Sequence, residues 1–509
     1  MHEGRTVNSV KNIFWGYLNI VVGLLLSFIN RTIFIKILGV EYLGINGLFS
    51  NILQMLSLAD LGFTTAMAYS YYRPIAENDI DTITALNSFY RKIYMYIAAG
   101  IAIIGSSLTP FLDEIVNIEE PIEQLHIYYL LTLAGTVSSY LLVYKSTLVN
   151  AYQKNYIISK YNSIVKIACT VLQIIFMVLT KNYIVYLLIV VCSNIFNNLR
   201  ISFVANKLFP FIKKKTAKQL SKTDRKQIFN NIKSMFIYKI SGVLINSTDN
   251  ILISSIVGTV FVGYYSNYLM IINSITSFIN TTFTSLTASI GNLVVNESYK
   301  KRYELFKIVQ MASFWFSTVI VSCTYVLINQ FISVWLGNEF ILSKDVVVAI
   351  LLNLYLTCVL QPVWIYREAT GIYLKTKYVM LITAMLNLGL SIWWGIYLGI
   401  SGILFASAAS KLLTYFWYEP ILLFKEFFKD RPIKFFIDII INFLSTFIVI
   451  LILEKIISWT TTAGWMWIFI DGIICFIISN ILFAVCWVHN KYFRELVDRI
   501  KNIIYRRSK

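Results

Sequence analysis

Six cationic side chains lie where water is not expected: Arg31, Lys145, Lys166, Lys239, Arg367 and Lys411 each fall inside a long apolar stretch. A charge at the centre of a membrane helix costs roughly 2.5–3.5 kcal/mol on insertion scales, so such groups face a bundle interior or a wet cavity. Lysine presents a point charge and arginine a planar fork, and both suit a phosphate-bearing anion. The intramembrane acids are fewer. Asp60 and Asp249 are candidates for binding a coupling proton or sodium ion, or for balancing the cations; Glu368 adjoins Arg367, and Asp471 lies in the last apolar stretch. No catalytic grouping and no metal-ligand spacing stands out, since His2, His126 and His489 are scattered and the six cysteines form no close pair.

The residues around these charges recur at helical intervals. Lys239, Gly242, Asn246 and Asp249 fall on one helix face, as do Asn19, Gly23, Ser27 and Asn30, with Arg31 at the edge. Ser159, Asn162, Lys166, Thr170 and Gln173 form a third stripe, and Ser407, Lys411 and Thr414 a fourth. Helix-to-helix hydrogen bonding through polar residues accounts for any one stripe, but poorly for a cation on each. At about 1.5 Å per residue, Lys166, Lys239 and Lys411 reach the midplane, Lys145 and Arg367 lie nearer one end, and Arg31 nearer the other. The first three are expected to line one cavity together with Asn19, Ser27, Asn30, Asn246 and Gln173. Lys145 and Arg367 are expected at pseudo-symmetric places near its cytoplasmic mouth, with Glu368 too awkwardly placed on the same helix to pair with Arg367.

About fourteen apolar segments long enough to cross a bilayer carry these groups. Basic connections such as Lys207 to Lys226, Lys300 to Lys307 and Lys425 to Lys434 alternate with others almost free of cations, and the one holding Asp113, Glu114, Glu119, Glu120 and Glu123 is acidic. Positive charge stays inside, so the basic connections and both termini are expected in the cytoplasm of a bacterial cell, and the chain in its cytoplasmic (inner) membrane. The expected fold is all-α and polytopic: two six-helix lobes around a central cavity plus two extra C-terminal helices. The N-lobe spans 1–206, a basic cytoplasmic linker 207–228, the C-lobe 229–424, the thirteenth and fourteenth spans 425–488, and an amphipathic cytoplasmic tail 489–509.

A chain of 509 residues that is 57% hydrophobic and 14% charged is no soluble domain. Its net charge of +18 sits in the cytoplasmic connections and the tail, which argues for contact with anionic lipid and against a nucleic-acid partner. Internal repetition points to transport. Laid without a gap over Asn231 to Gly263, the segment Asn12 to Gly44 pairs Gly23 with Gly242, Ser27 with Asn246, Asn30 with Asp249, Gly39 with Gly258 and Gly44 with Gly263.

The run from Lys36 through Gly39 and Glu41 to Gly44, the run Leu56 to Phe63 containing Asp60 and Gly62, and the later run Val334 to Phe340 resemble the Wzx-type polysaccharide flippases. These belong to the multidrug/oligosaccharidyl-lipid/polysaccharide exporter (MOP) superfamily. The resemblance covers Val10 to about Phe424. It implies alternating access around a central cavity and export of an undecaprenyl-pyrophosphate-linked oligosaccharide to the outer leaflet, for capsule or O-antigen-type surface polysaccharide. The partners it implies are that lipid-linked glycan, membrane lipids, a polysaccharide polymerase and glycosyltransferases, with no cofactor beyond a coupling proton or sodium ion. The two spans beyond Phe436 resemble the peptidoglycan lipid II flippases, which keeps that substrate open beside a multidrug exporter. A polymerase or glycosyltransferase is disfavoured, because the longest outward connection, Leu112 to Gln124, holds no arginine or lysine.

Overall fold

A computed structural model describes residues 5–57, 67, 70–71, 74–75, 77–116, 122, 124–152, 154–213, 220, 226, 240–245, 247–284, 286, 290, 297–370, 372–458 and 464–507. Polar side chains are buried and apolar ones are exposed along single helices, the reverse of a water-soluble fold. On the helix Asn155–Thr180, Ser163, Thr170 and Gln173 are buried while Ile164, Ile167, Val171 and Ile175 face outward. On Ile433–Ile457, Asp438, Asn442, Ser445 and Thr446 are buried while Ile437, Ile440, Ile441 and Leu444 are exposed. A hydrocarbon solvent dictates that arrangement.

The chain forms two units, Met1–Gly263 and Tyr264–Lys509. In the first, α1 (Arg5–Leu38) turns at Gly39 into α2 (Val40–Leu56). The next helix, α3 (Ile80–Ser107), starts at Asp79, whose carboxylate accepts from the backbone N of Thr82 at 2.9 Å and from its Oγ1 at 2.6 Å. That is the capping expected of an aspartate. A broken span follows, α4 (Leu125–Tyr140) and α5 (Val143–Ala151), bent by 41°. Then α6 (Asn155–Thr180) and α7 (Tyr183–Leu208) form a hairpin whose two-residue turn is set by Lys181 at φ 49° and by Asn182, which caps Ile184 N at 2.8 Å. The span α8 (Ile240–Val257) completes the unit. This core is tyrosine-rich. Tyr90, Tyr94 and Tyr129 are fully buried, with Tyr129 Oη donating to Gly105 O at 2.9 Å.

Through α9 (Thr259–Thr284) the chain passes into the second unit. There α10 (Tyr299–Trp335) is long enough, about 55 Å, to overreach a hydrocarbon core of about 30 Å. It is followed by α11 (Lys344–Thr370), with Pro362 inside, and by α12 (Tyr373–Leu413), which folds back on itself at Gly399 with φ 60° and ψ −137°. After α13 (Tyr415–Leu423) come α14 (Ile433–Ile457), α15 (Trp465–Trp487) and the terminal α16 (Lys491–Arg507). Phe306 is the hub of an aromatic cluster with Tyr366, Phe424, Phe428 and Phe435. Among the described residues, ten helices are long and apolar enough to cross a membrane, eleven with the bent α4/α5 pair. With the two arms of α12 counted apart and α2 and α9 added, the all-α polytopic architecture of about fourteen spans is complete.

The unit boundary falls one span beyond the basic linker, because α8 packs in the first unit. Ser254 Oγ donates to Ile115 O at 3.0 Å. The repeat glycines meet there too. A Cβ on Gly44 would collide with the Thr259 carbonyl, and one on Gly263 would lie 2.7 Å from Val40 O. Val40 and Thr259 are themselves repeat partners, so the contact is reciprocal, as an isologous contact is. Gly39 and Gly258, also paired by the repeat, both adopt positive φ, 94° and 137°, where a Cβ is penalised.

Candidate functional site

In the first unit the polar stripes of α1 and α6 face each other. Lys166 Nζ lies over Gly23, so close that a Cβ there would sit 2.8 Å from it. A side chain at that position would displace the lysine's flexible end. Deeper in the seam, Asn30 Nδ2 reaches Gln173 Oε1 at 3.4 Å and Tyr186 Oη, from α7, at 3.2 Å. Arg31 stands next to the same Tyr186 hydroxyl. Ser27 turns its hydroxyl back to Gly23 O at 2.6 Å, so it bonds within its own helix. Among the described residues, Lys166 has no hydrogen-bond or carboxylate partner.

Lys145, toward the other end of this unit, donates to Ser202 Oγ at 2.6 Å and Asn206 Oδ1 at 3.1 Å, both on α7. Both of these acceptors are neutral. Asp249 is half-buried on α8. Asp60, Lys239, Asn246 and the side chain of Asn19 lie outside the described residues.

The second unit pairs two of its cations with carboxylates. Arg367 Nη1 meets Glu419 Oε1 at 2.7 Å with both groups buried, and Arg367 Nη2 also reaches the adjacent Glu368 at 3.4 Å. The expectation that Glu368 stays clear of Arg367 is therefore corrected: the long guanidinium fork bends far enough to span neighbouring positions. Lys307, read from the sequence as part of a basic cytoplasmic connection, is fully buried. Its Nζ pairs with Asp438 Oδ2 at 2.7 Å and Gln310 Oε1 at 2.9 Å. Beyond this pair a hydrogen-bonded ladder runs between α10, α11 and α14 through Ser317, Asn442, Tyr355, Thr318 and Thr446. Lys411 donates to a neutral acceptor, Asn353 Oδ1, at 2.8 Å.

Of the cations expected in one cavity, then, Lys166 belongs to the first unit and Lys411 to the second. Sequence reasoning missed Glu419, Lys307, Asp438 and Tyr186. A carboxylate in an otherwise apolar stretch, as at Glu419 and Asp438, was the available signal for two of them.

Helices that expose apolar faces and enclose charges have the build of a membrane transporter. The polysaccharide biosynthesis protein family matches residues 9–287, more than half of the chain, and the chain belongs to it. Its fold is also that of several solved structures. A lipid II flippase MurJ in an inward closed conformation superposes with TM-score 0.69 at 15% identity, over 97% of this chain and 100% of that one. An inward-facing multidrug resistance MATE family transporter of the MOP superfamily gives 0.58 at 13%, over 77% and 93%. A point mutant of the Vibrio cholerae MATE transporter VcmN gives 0.53 at 15%, over 84% and 99%. A search of curated proteins found no match. The chain is thus a multi-span membrane protein of the polysaccharide biosynthesis family with the fold of MOP superfamily flippases and transporters.

Proposed function

We propose that this protein flips an undecaprenyl-pyrophosphate-linked oligosaccharide from the inner to the outer leaflet of the bacterial cytoplasmic membrane by alternating access, for surface polysaccharide assembly. The single observation that carries the reading is Lys166, an ammonium inside a span, seated on a glycine and without a carboxylate partner among the described residues. The insertion cost of such a charge is sustained where an anion must be met. A pyrophosphate headgroup is that anion, and family membership supports a glycan on it. On this reading the protein is a transporter and not an enzyme, its termini are cytoplasmic, Lys145 meets the headgroup early, and Arg31 meets it late. Asp249 and Asp60 are the candidates for coupling to a proton or sodium ion. Glycosyltransferases would act before it and a polymerase after it.

The test is a proteoliposome assay that follows lipid-linked oligosaccharide reaching the outer leaflet, with wild type against Lys166→Gln. Wild-type flipping that falls tenfold or more in the variant supports the reading. Equal flipping in both sinks it. A lipid II arm belongs in the same assay, since 97% of this chain superposes on the whole of a lipid II flippase. Preference for lipid II would move the protein to peptidoglycan assembly.

A further inference from the structure

A second recess lies at the opposite end of the first unit from Lys145. Asn182 begins α7 and Asn206, the partner of Lys145, nears its end, so the two regions are about 36 Å apart by helical rise, more than a hydrocarbon core of about 30 Å. The recess is about 560 Å³, within the range of small-molecule sites. The end of α1, the start of α2, the start of α4 and the α6–α7 turn enclose it. Its polar rim is Glu41, Gln124, Lys181 and Asn182, and its aromatic wall is Tyr42, Tyr128 and Tyr183.

The wall is built and not accidental. Tyr183 packs edge-on against Tyr128 at 4.9 Å and against Tyr42 at 5.3 Å, and its hydroxyl donates to Asn46 Oδ1 at 3.2 Å. The same ring stacks with Tyr186 at 5.8 Å, so one run of tyrosines joins the recess to the Asn30–Gln173 seam. The rim is fixed as well. Asn182 uses its Oδ1 to cap α7, which leaves its NH2 as donor, and Lys181 is held by its backbone in the left-handed turn.

This chemistry matches one ligand class. Among the described lining residues one glutamate stands against one lysine, with no excess of cations for an anion. The half-exposed Tyr42, backed by the buried Tyr128 and Tyr183, offers a flat apolar surface with a hydroxyl edge, while the carboxylate, amide and ammonium groups supply acceptors and donors at the rim. A sugar ring, with apolar C–H faces and a girdle of hydroxyls, needs both.

We infer that this recess is a glycan-binding site, which takes the sugar portion of the substrate at the outer end of the N-terminal unit after the headgroup has crossed. The inference rests on the flippase reading for its orientation, but the binding it asserts does not need flipping. The test is saturation-transfer difference NMR on the full chain in a sugar-free zwitterionic detergent, with the methyl glycosides of glucose, galactose, rhamnose and N-acetylglucosamine as probes. At least one glycoside should receive transfer, with affinity reduced tenfold or more by Tyr42→Ala and fivefold or more by Glu41→Gln. Glu41 is exposed, so its variant stays informative if Tyr42→Ala misfolds. No transfer to any glycoside, transfer indifferent to Glu41→Gln, or binding of phosphocholine or a tripeptide in place of every glycoside would overturn the site. Intact flipping of lipid-linked oligosaccharide with no glycoside binding removes the recess alone. Glycoside binding with no flipping removes the transport reading and leaves the recess.

Discussion

Two cations of the second unit and two of the first are held in different ways: Lys307 and Arg367 are buried, whereas Lys145 is half-buried and Lys166 exposed. In Tyr264–Lys509, Lys307 has Asp438 and Arg367 has Glu419, each pair at 2.7 Å and shut away from solvent. In Met1–Gly263, Lys145 leans on a serine and an asparagine, and Lys166 on the bare backbone at Gly23. A buried ion pair has little left to offer a ligand, because its partner already satisfies the charge and separating the two is costly. An ammonium with no carboxylate partner among the described residues, as at Lys166, keeps its field and can receive an anion. On the proposed function, the difference predicts a structural role for Lys307 and Arg367 and a ligand-binding role for Lys166.

The largest effect should come from breaking the second unit's pairing. Lys307→Met strands the Asp438 carboxylate among Gln310, Asn442 and the Phe306 cluster, and should cost about 3–5 kcal/mol, read as loss of thermal stability in detergent. Adding Asp438→Leu should recover most of it, since a buried pair replaced by apolar residues is often neutral. A stable Lys307→Met protein would erase the distinction between the units.

The repeat offers a more even comparison. Gly44→Val and Gly263→Val each press side-chain atoms into the other's neighbourhood, against Thr259 and Val40 respectively, and each should cost about 1–3 kcal/mol by overpacking. Matched losses would give the reciprocal contact energetic meaning. A large loss at one glycine and none at the other would reduce the sequence repeat to a coincidence of helix ends.

The sequence made the spans and their polar faces legible because both are local: a hydrocarbon solvent demands long apolar runs, and a stripe such as Lys166, Thr170 and Gln173 repeats with the helix. Pairings were not local. Asp438 is 131 positions from Lys307 and Glu419 is 52 from Arg367, and no periodicity within one helix names a partner on another. Lys307 was misplaced for a related reason. It ends a run of cations at the start of α10, and nothing in that run says where the helix enters the bundle. Gly23 shows the opposite case. The sequence marked it as a repeat position, but only the packing of α1 on α6 reveals that an ammonium lies over it.

Lys145 falls between the extremes. Replacement by Gln removes bonds to Ser202 and Asn206, and interhelical hydrogen bonds in membranes are worth about 0.6 kcal/mol on average, so its unfolding midpoint should move little. Binding of the lipid-linked oligosaccharide from the cytoplasmic side should weaken several-fold, measured on detergent-solubilised protein. Undiminished affinity would take the headgroup-loading role from Lys145.

The smallest change in stability, and the sharpest test of the comparison, belongs to Lys166→Gln. No carboxylate partner among the described residues is stranded by it, and the shorter neutral side chain no longer has to carry charge into the span. Stability should therefore stay within about 0.5 kcal/mol of wild type or rise slightly, while flipping falls tenfold or more. Lys166→Arg should restore part of the flipping because it returns the charge, but not all of it, because a planar fork does not fit over Gly23 as a point charge does. If Lys166→Gln instead destabilised the fold as much as Lys307→Met, the ammonium over Gly23 would be a packing element like its buried counterpart, and the two units would differ in their partners but not in their purpose.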